Sequence, residues 1–301
     1  MKALQQRATA KNYQGLFVVD LDGTLLTSER RIAPVDLLAL SRLRERGCLI
    51  AIATGRSDYS FELLMGKLGY SGPASRLPVD YVIFSTGAGI MEFPGNNLLK
   101  SFSLGPEEVR CAAAYLEASG LDYMIHRPVP ETRHFFYRAR SFTRHDNPDF
   151  HRRLTMYSDF ATSLSAETLA TLGGATEVLC VVPDDRGHAV AADIAAALKQ
   201  CSVVKATSPL DGQSIWIEIF APTVSKSKAV KWLADTVGLQ PENICAVGND
   251  YNDQDLLHWA GRGYLVANGP PSLKELFHSV ASNDNGGVSE AATHWLSTAQ
   301  G

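Results

Sequence analysis

Cysteine is scarce in this chain: Cys48, Cys111, Cys180, Cys201 and Cys245 are its five among 301 residues, and no two form a CxxC pair. Cys48, Cys180 and Cys245 lie in apolar runs, where a free thiol behaves as a small hydrophobe. This usage favours a reducing compartment over a disulfide framework. No uninterrupted apolar run approaches the ~20 residues of a membrane span, and Met1–Gln14 lacks the apolar segment of a secretory leader. The expectation is a cytoplasmic protein with no membrane partner. Basic excess is absent too. The net charge is −4, so nothing in the overall charge points to nucleic acid. No period of 20–50 residues repeats, and no segment is of low complexity. The turn Thr86-Gly87-Ala88-Gly89 starts like a dinucleotide fingerprint, but Glu92 stands where the third glycine belongs and Pro94 follows.

What is present is ordinary globular material, 45% apolar and 20% charged, and long enough for two domains. The first stretch alternates strand and helix. Leu16–Val19 reads as a buried strand. Pro34 opens a helix with Leu37, Leu38, Leu40 and Leu43 on its apolar face. Cys48–Ala53 and Tyr81–Phe84 are further strands, with a helix through Phe61, Leu64 and Leu68 between them. This βαβαβ order predicts a doubly wound parallel sheet. From about Gly89 to Ser214 the pattern is mixed, as in an α+β insert. The α/β pattern then resumes, with a helix capped by Ser225, a strand at Ile244–Val247, and a strand at Tyr264–Val266. The expected organisation is an α/β core of residues 1–88 and 215–301, interrupted by an α+β domain at 89–214.

Chemistry concentrates where strands end. Asp20-Leu21-Asp22-Gly23-Thr24 follows the first strand, so two carboxylates stand two positions apart at a carboxyl edge, where open α/β sheets bind ligands. Their mutual repulsion suits a hard cation such as Mg2+, which takes oxygen ligands and keeps waters for a phosphate. An ordinary Asp-Gly turn is the competing reading. A calcium loop is not, because Leu25 and Arg31 occupy its required glycine and glutamate positions. Thr54 ends the second strand before Gly55 and Arg56, as either a phosphate contact or a Ser/Thr turn. Lys226 follows the N-cap Ser225, against the helix dipole, where an anion would explain it. Lys228 is expected to face away. Gly248-Asn249-Asp250-Tyr251-Asn252-Asp253 clusters oxygen-bearing side chains after a strand, as a metal site or a capping loop. The segment His126–Arg153 carries seven arginines and four histidines, either gripping an anion or forming a solvated basic face.

Taken in order, Asp20–Thr24, Ala53–Ser57, Ser225-Lys226 and Gly248–Asp253 resemble the four motifs of the haloacid dehalogenase superfamily of phosphohydrolases. The long insert is similar to the cap of its Cof-type, class IIB branch. So are the turn at Ile83–Gly89 and the segment Glu218–Pro222. The resemblance implies a Rossmann-like core with an α+β cap, and a Mg2+-dependent phosphatase acting on a small phosphorylated metabolite, a sugar phosphate in the first instance. Asp20 would be the nucleophile and Asp22 the general acid and base. Thr54, Gly55, Arg56 and Lys226 would hold the phosphoryl group. Arg127, Arg133 or Arg138 would contact substrate. Mg2+ would bind Asp20, the carbonyl of Asp22, and the fourth motif. There the family commonly has Gly-Asp-x-x-Asn-Asp, whereas this chain has Asn249 at the first aspartate position, followed by Asp250. Either could be the ligand, and Asp253 would be a further ligand or would orient a bound water or Lys226. A phosphomutase of the same fold, or a weakly active metabolite-binding protein, are the alternatives.

Overall fold

The computed structural model describes residues 13–140, 146–183 and 186–298. Most of the leader-free stretch Met1–Gln14, and Arg144 and His145 of the basic segment, lie outside the described residues. Two compact units emerge. One comprises the chain through Arg56, Ser60–Lys100, and everything from Ser225 on. The other comprises Ser57–Tyr59 and Ser101–Val224.

The first unit begins with β1 (Gly15–Val19), β2 (Cys48–Ala53), β3 (Tyr81–Phe84), β4 (Gly89–Glu92) and β5 (Leu98–Ser101). The second unit carries β6 (Tyr123–His126), β7 (Phe135–Arg138), β8 (Ala161–Ser163), β9 (Glu177–Val182), β10 (Ser202–Thr207) and β11 (Ile215–Phe220). The first unit then resumes with β12 (Ile244–Gly248), β13 (Arg262–Val266) and β14 (His278–Val280).

An eight-stranded sheet runs β14-β13-β12-β1-β2-β3-β4-β5. From β14 to β3 every pairing is parallel, and β4 folds back antiparallel on β3. The expected doubly wound parallel sheet is therefore present. Residues of β1, β2, β3 and β12 are buried throughout, which is why they read as continuous apolar runs without alternation. Strand order reverses about β1: β2 and β3 lie to one side, β12 and β13 to the other. Val19 is level with both Ile52 and Val247. The crevice beyond the carboxyl ends of β1 and β12 is thus the topological switch point of this sheet, where ligands bind in open α/β folds.

The six-stranded sheet of the second unit runs β10-β11-β9-β6-β7-β8, antiparallel except for β7 with β8. The helix Pro148–Met156 packs on it through Phe150, against Met124, Phe135, Leu179 and Val181.

Two sequence expectations are corrected here. The helix Pro34–Glu45 buries Asp36, Ala39, Leu40 and Leu43, whereas Leu38 is exposed. The buried row follows the helical i, i+3, i+4, i+7 spacing from Asp36, and an acidic residue had not been counted as a core position. Residues from 89 on were assigned to the insert and those from 215 on to the core. Strand pairing places them otherwise, because β4 and β5 extend the large sheet while β11 lies between β9 and β10 in the small one.

Candidate active site

Asp20 is the first residue past β1. Its N–H still donates to Val247 O at 2.9 Å, so the sheet itself fixes where the side chain begins. The chain then turns sharply at Gly23, where φ is +76°. A Cβ there would come within 2.7 Å of the Asn249 side-chain amide, so only glycine lets the two loops approach this closely.

Lys226 lies in the first turn of the helix Lys226–Val237, is fully buried, and donates to Asp20 Oδ1 at 2.7 Å and to Asp253 Oδ1 at 2.6 Å. Burial works against its charge, but Asp20 and Asp253 outweigh it and hold the ammonium above its usual range. Asp20 is pushed up to about 7. Burial is the main cause, Lys226 opposes it, and Asp253 and Asp22 add to it. Both directions have one origin. Two buried carboxylates share one ammonium, which leaves an excess negative charge that a proton or a cation relieves. Lys228, as expected, is exposed.

The other oxygen of Asp20, Oδ2, accepts from Thr24 Oγ1 at 3.0 Å. One end of the Asn249 amide lies 3.0 Å from Asp22 O, 3.0 Å from Thr24 Oγ1 and 3.1 Å from Asp20 Oδ2. The hydrogen-bond pattern assigns Nδ2 to that end, donating to these oxygens. Turned by 180°, Asn249 would instead present Oδ1 to Asp20 Oδ2 and Asp22 O. A convergence of a carboxylate, a backbone carbonyl and an amide oxygen is stable only around a cation. The donors are all hard oxygens, and their small number leaves positions for water and phosphate, as Mg2+ prefers. Among the described residues no three His, Cys, Asp or Glu side chains form a metal cluster. Any metal here would rely on this mixed oxygen set.

Of the two readings of the fourth motif, Asn249 is the residue brought to Asp20. Asp250 begins the short turn Tyr251–Asp253. Asp253, expected among the metal ligands, is committed elsewhere. Its Oδ1 accepts from Lys226, and its Oδ2 accepts from the N–H groups of Asn249 at 2.9 Å and Asp250 at 3.1 Å. It folds back over Gly248, where a Cβ would come within 2.4 Å of the Asp253 carboxyl carbon.

The Asp22 side chain points to a partner that the sequence did not announce. Arg56 donates to both of its oxygens, Nε to Oδ2 and a terminal nitrogen to Oδ1, each at 2.6 Å. Another terminal nitrogen of Arg56 donates to Ser60 Oγ at 3.1 Å. Arg56 was expected on phosphate; the structure gives it to Asp22. Thr54 is buried at the end of β2, with Oγ1 accepting from the Arg56 N–H at 3.1 Å, and Gly55 lies between them.

Ser85, Thr86 and Gly87 all have positive φ, at 45°, 54° and 107°. The turn is held by Ser85 N–H to Arg56 O at 2.8 Å and Thr86 N–H to Thr54 O at 3.0 Å. A Cβ on Gly87 would lie 2.4 Å from Ser225 O. One strained turn therefore braces both the Thr54–Arg56 loop and the head of the Lys226 helix.

Two asparagines went unread. Asn268 donates to Gly23 O at 2.7 Å and accepts from the Asn283 N–H at 3.0 Å, and Asn283 donates to Leu26 O at 2.9 Å. They form a strut under the Asp20–Leu26 loop. Their only sequence signal was Asn-Gly and Asn-Asp turn chemistry, which is common to many loops.

The candidate substrate arginines belong to the second unit. Arg127 pairs with Glu131 at 3.2 Å and lies over Phe136, Arg133 lies over Tyr59 and Phe160, and Arg138 pairs with Glu117 at 3.0 Å. No described helix is long and apolar enough to cross a membrane.

Comparison with known proteins places this geometry. The profile of the haloacid dehalogenase-like hydrolases matches residues 17–291. The chain is 24% identical to the putative phosphatase YxeH of Bacillus subtilis, covering 92% of this chain and 96% of that one. It is 25% identical to the HMP-PP phosphatase of Serratia proteamaculans, covering 93% and 95%. It also matches a chloroplastic endoribonuclease YBEY of Arabidopsis thaliana at 26% identity, but spans only 45% of that protein. Among solved structures, a haloacid dehalogenase-like hydrolase from B. subtilis superposes with a TM-score of 0.72 at 20% identity, covering 93% of this chain and 99% of that one. A subclass IIB sugar phosphatase superposes at 0.71 and 19%, covering 93% and 98%. At these identities the structural likeness shows the fold: a Rossmann-like core with an α+β cap.

Proposed function

The chain belongs to the haloacid dehalogenase-like hydrolases, and from that premise we propose that it is a Mg2+-dependent phosphatase of a small phosphomonoester, working through a phosphorylated Asp20. The observation that carries this reading is the placement of Asp20 at the switch point, with one oxygen on Lys226 and the other in the oxygen set of Asp22 O and Asn249. The phosphatase names of the relatives support the reaction class, and the sugar phosphatase among the structural neighbours supports a sugar phosphate as substrate.

In this reading Asp20 attacks phosphorus. A bond forms from its carboxylate oxygen, and the bond from phosphorus to the ester oxygen breaks. Asp22 delivers a proton to that departing oxygen, then takes one from the water that cleaves the aspartyl-phosphate. Delivery requires Asp22 to present an oxygen that Arg56 holds in the structure described. Arg56 is thus the residue that sets where the acid rests before it acts. Lys226 offsets charge on Asp20 and on the incoming phosphoryl group, and Asp253 keeps Lys226 in place. Thr54 and the N–H groups of the following loop hold phosphoryl oxygens. Asp20, Asp22 O and Asn249 Oδ1 would hold Mg2+, which when bound supplies positive charge against the phosphoryl oxygens.

The test is hydrolysis of an aryl phosphate by wild type and by Asp20→Asn, with Mg2+ and with excess EDTA. Turnover is expected only in wild type with Mg2+, and the substitution should lower kcat by at least about 10³-fold. Equal rates in the two proteins would refute the proposal. Oxygen-18 from water should enter the released phosphate once per turnover.

A further inference from the structure

The second unit holds a buried polar patch that the proposed mechanism does not use. On its sheet, His126 of β6 is level with Glu177 of β9. Glu218 of β11 is level with Leu179, two residues from Glu177, so all three side chains share one face. The helix Pro148–Met156 packs on that same face and contributes Arg153. The Arg153 guanidinium lies 4.5 Å from the centre of the Trp216 ring, with a terminal nitrogen 3.5 Å from His126 Nε2. Glu177, Glu218 and His126 are each more than nine-tenths buried.

Three buried side-chain polar atoms lack any hydrogen-bond partner among the described residues, and two of them are in this patch: Glu177 Oε2 and Arg153 Nε. Folded proteins rarely leave such atoms unpaired. A donor and an acceptor left open in one buried patch point to a missing occupant.

Charge narrows its chemistry. His126 Nδ1 contacts Thr132 O at 2.8 Å, which leaves Nε2 as an acceptor for Arg153. Burial, with Arg153 beside it, lowers the imidazole to about 3, so it is neutral. Burial and Glu218 push Glu177 up to about 8. The patch is therefore close to neutral at pH 7. An anion would satisfy Arg153 but face two glutamates. A cation would satisfy the glutamates but face Arg153. A hydroxyl group both donates and accepts, so neighbouring hydroxyls pair both open atoms without burying a further charge.

We propose that the patch formed by Arg153, Glu177 and Glu218 binds adjacent hydroxyl groups of a neutral polyol or sugar. The assignment deepens the phosphatase reading by naming the alcohol part of the ester, and rests on that reading only to that extent.

The experiment titrates full-length wild type and Asp20→Asn with sorbitol, glucose, putrescine and succinate, and reads saturation-transfer NMR and calorimetry. Saturable binding of sorbitol or glucose is expected in both proteins, with putrescine and succinate binding more weakly. Glu177→Gln is expected to weaken polyol binding by at least about tenfold. Should that variant melt below the assay temperature, Arg153→Lys, which keeps the charge but not the Nε–H, is expected to show the same loss. Tighter binding of putrescine or succinate, no polyol binding, or unchanged polyol binding by a folded variant would overturn the proposal. Aryl phosphate hydrolysis by the same wild-type sample separates the two readings. Hydrolysis without polyol binding removes only this site, and polyol binding without hydrolysis removes only the phosphatase assignment.

Discussion

Arg56 closes on Asp22 with two parallel hydrogen bonds of 2.6 Å, so both oxygens of the proposed general acid are held by one guanidinium. A bidentate pair fixes direction as well as charge. Arg56→Ala is therefore expected to lower kcat/KM for an aryl phosphate by about 10–100-fold, the scale of losing orientation at a reacting centre. The decisive measurement is a double-mutant cycle with Asp22→Asn. If Arg56 acts through Asp22, adding the second substitution costs little more than Asp22→Asn alone. Additive losses would show that the two residues act separately.

Lys226 is the only cation bonded to Asp20 and Asp253 in the hydrogen bonds described. Lys226→Met would leave two buried carboxylates without a counter-charge. The expected loss of folding stability is about 3–5 kcal/mol, measured by urea denaturation at pH 7.5. Because the variant is relieved by protonating those carboxylates, its deficit should shrink at pH 5. A deficit that does not change with pH would contradict the shared-charge account.

Asn249 gives the divalent ion a neutral ligand where relatives of this family commonly offer a carboxylate. Asn249→Asp is expected to lower the Mg2+ concentration for half-maximal activity by about tenfold, since it adds an anionic oxygen beside Asp20. Asn249→Ala should raise it. Asp250→Ala should change it by less than about twofold, because Asn249 is the residue that reaches Asp20. The readout is activity against free Mg2+ in a metal buffer. A larger effect at Asp250 than at Asn249 would reverse the assignment.

Asp36 supplies a pH dependence far from the chemistry. It is buried, its Oδ1 accepts from the Ser289 N–H at 2.8 Å, and its Oδ2 has no partner. Burial pushes its carboxyl up to about 6, with the Ser289 bond opposing. A folded value above the unfolded one means that the folded state holds the proton more tightly. The stability this gives is complete below about 4 and is lost as pH rises to about 6. Asp36→Asn has no proton to lose. Its Tm relative to wild type is therefore expected to climb between pH 4 and pH 7, by an amount equivalent to about 1–3 kcal/mol. A constant difference across that range would count against it.

The strand ends were legible because β1, β2 and β12 are buried on both faces and announce themselves as apolar runs. Polar residues just beyond them could then be placed on one edge. Asp20, Thr54, Lys226 and Asn249 were found this way. Partner choice was not legible. Arg56 was read as a phosphate ligand, because a guanidinium suits phosphate and carboxylate equally well, and only the fold shows that Asp22 is within reach. Asp253 was counted as a metal ligand for the same reason, since spacing cannot tell an oxygen that meets a cation from one that meets a lysine. Asn268 and Asn283 looked like turn residues, and they are. Their amides also happen to reach the Asp20–Leu26 loop.

The large sheet has β1 at its centre, with β2 on one flank and β12 on the other. These flanking strands differ in when a growing polypeptide can supply them. β2 is available within a few dozen residues of synthesis, whereas β12 emerges only after the whole insert. Until then β1 exposes an unsatisfied row of amides, and Asp20 has neither its ammonium partner nor the Val247 carbonyl. The reactive carboxylate is thus assembled last, by a long-range closure of the kind that slows folding. A nascent or truncated chain that ends within the insert would carry the aspartate without its chemistry.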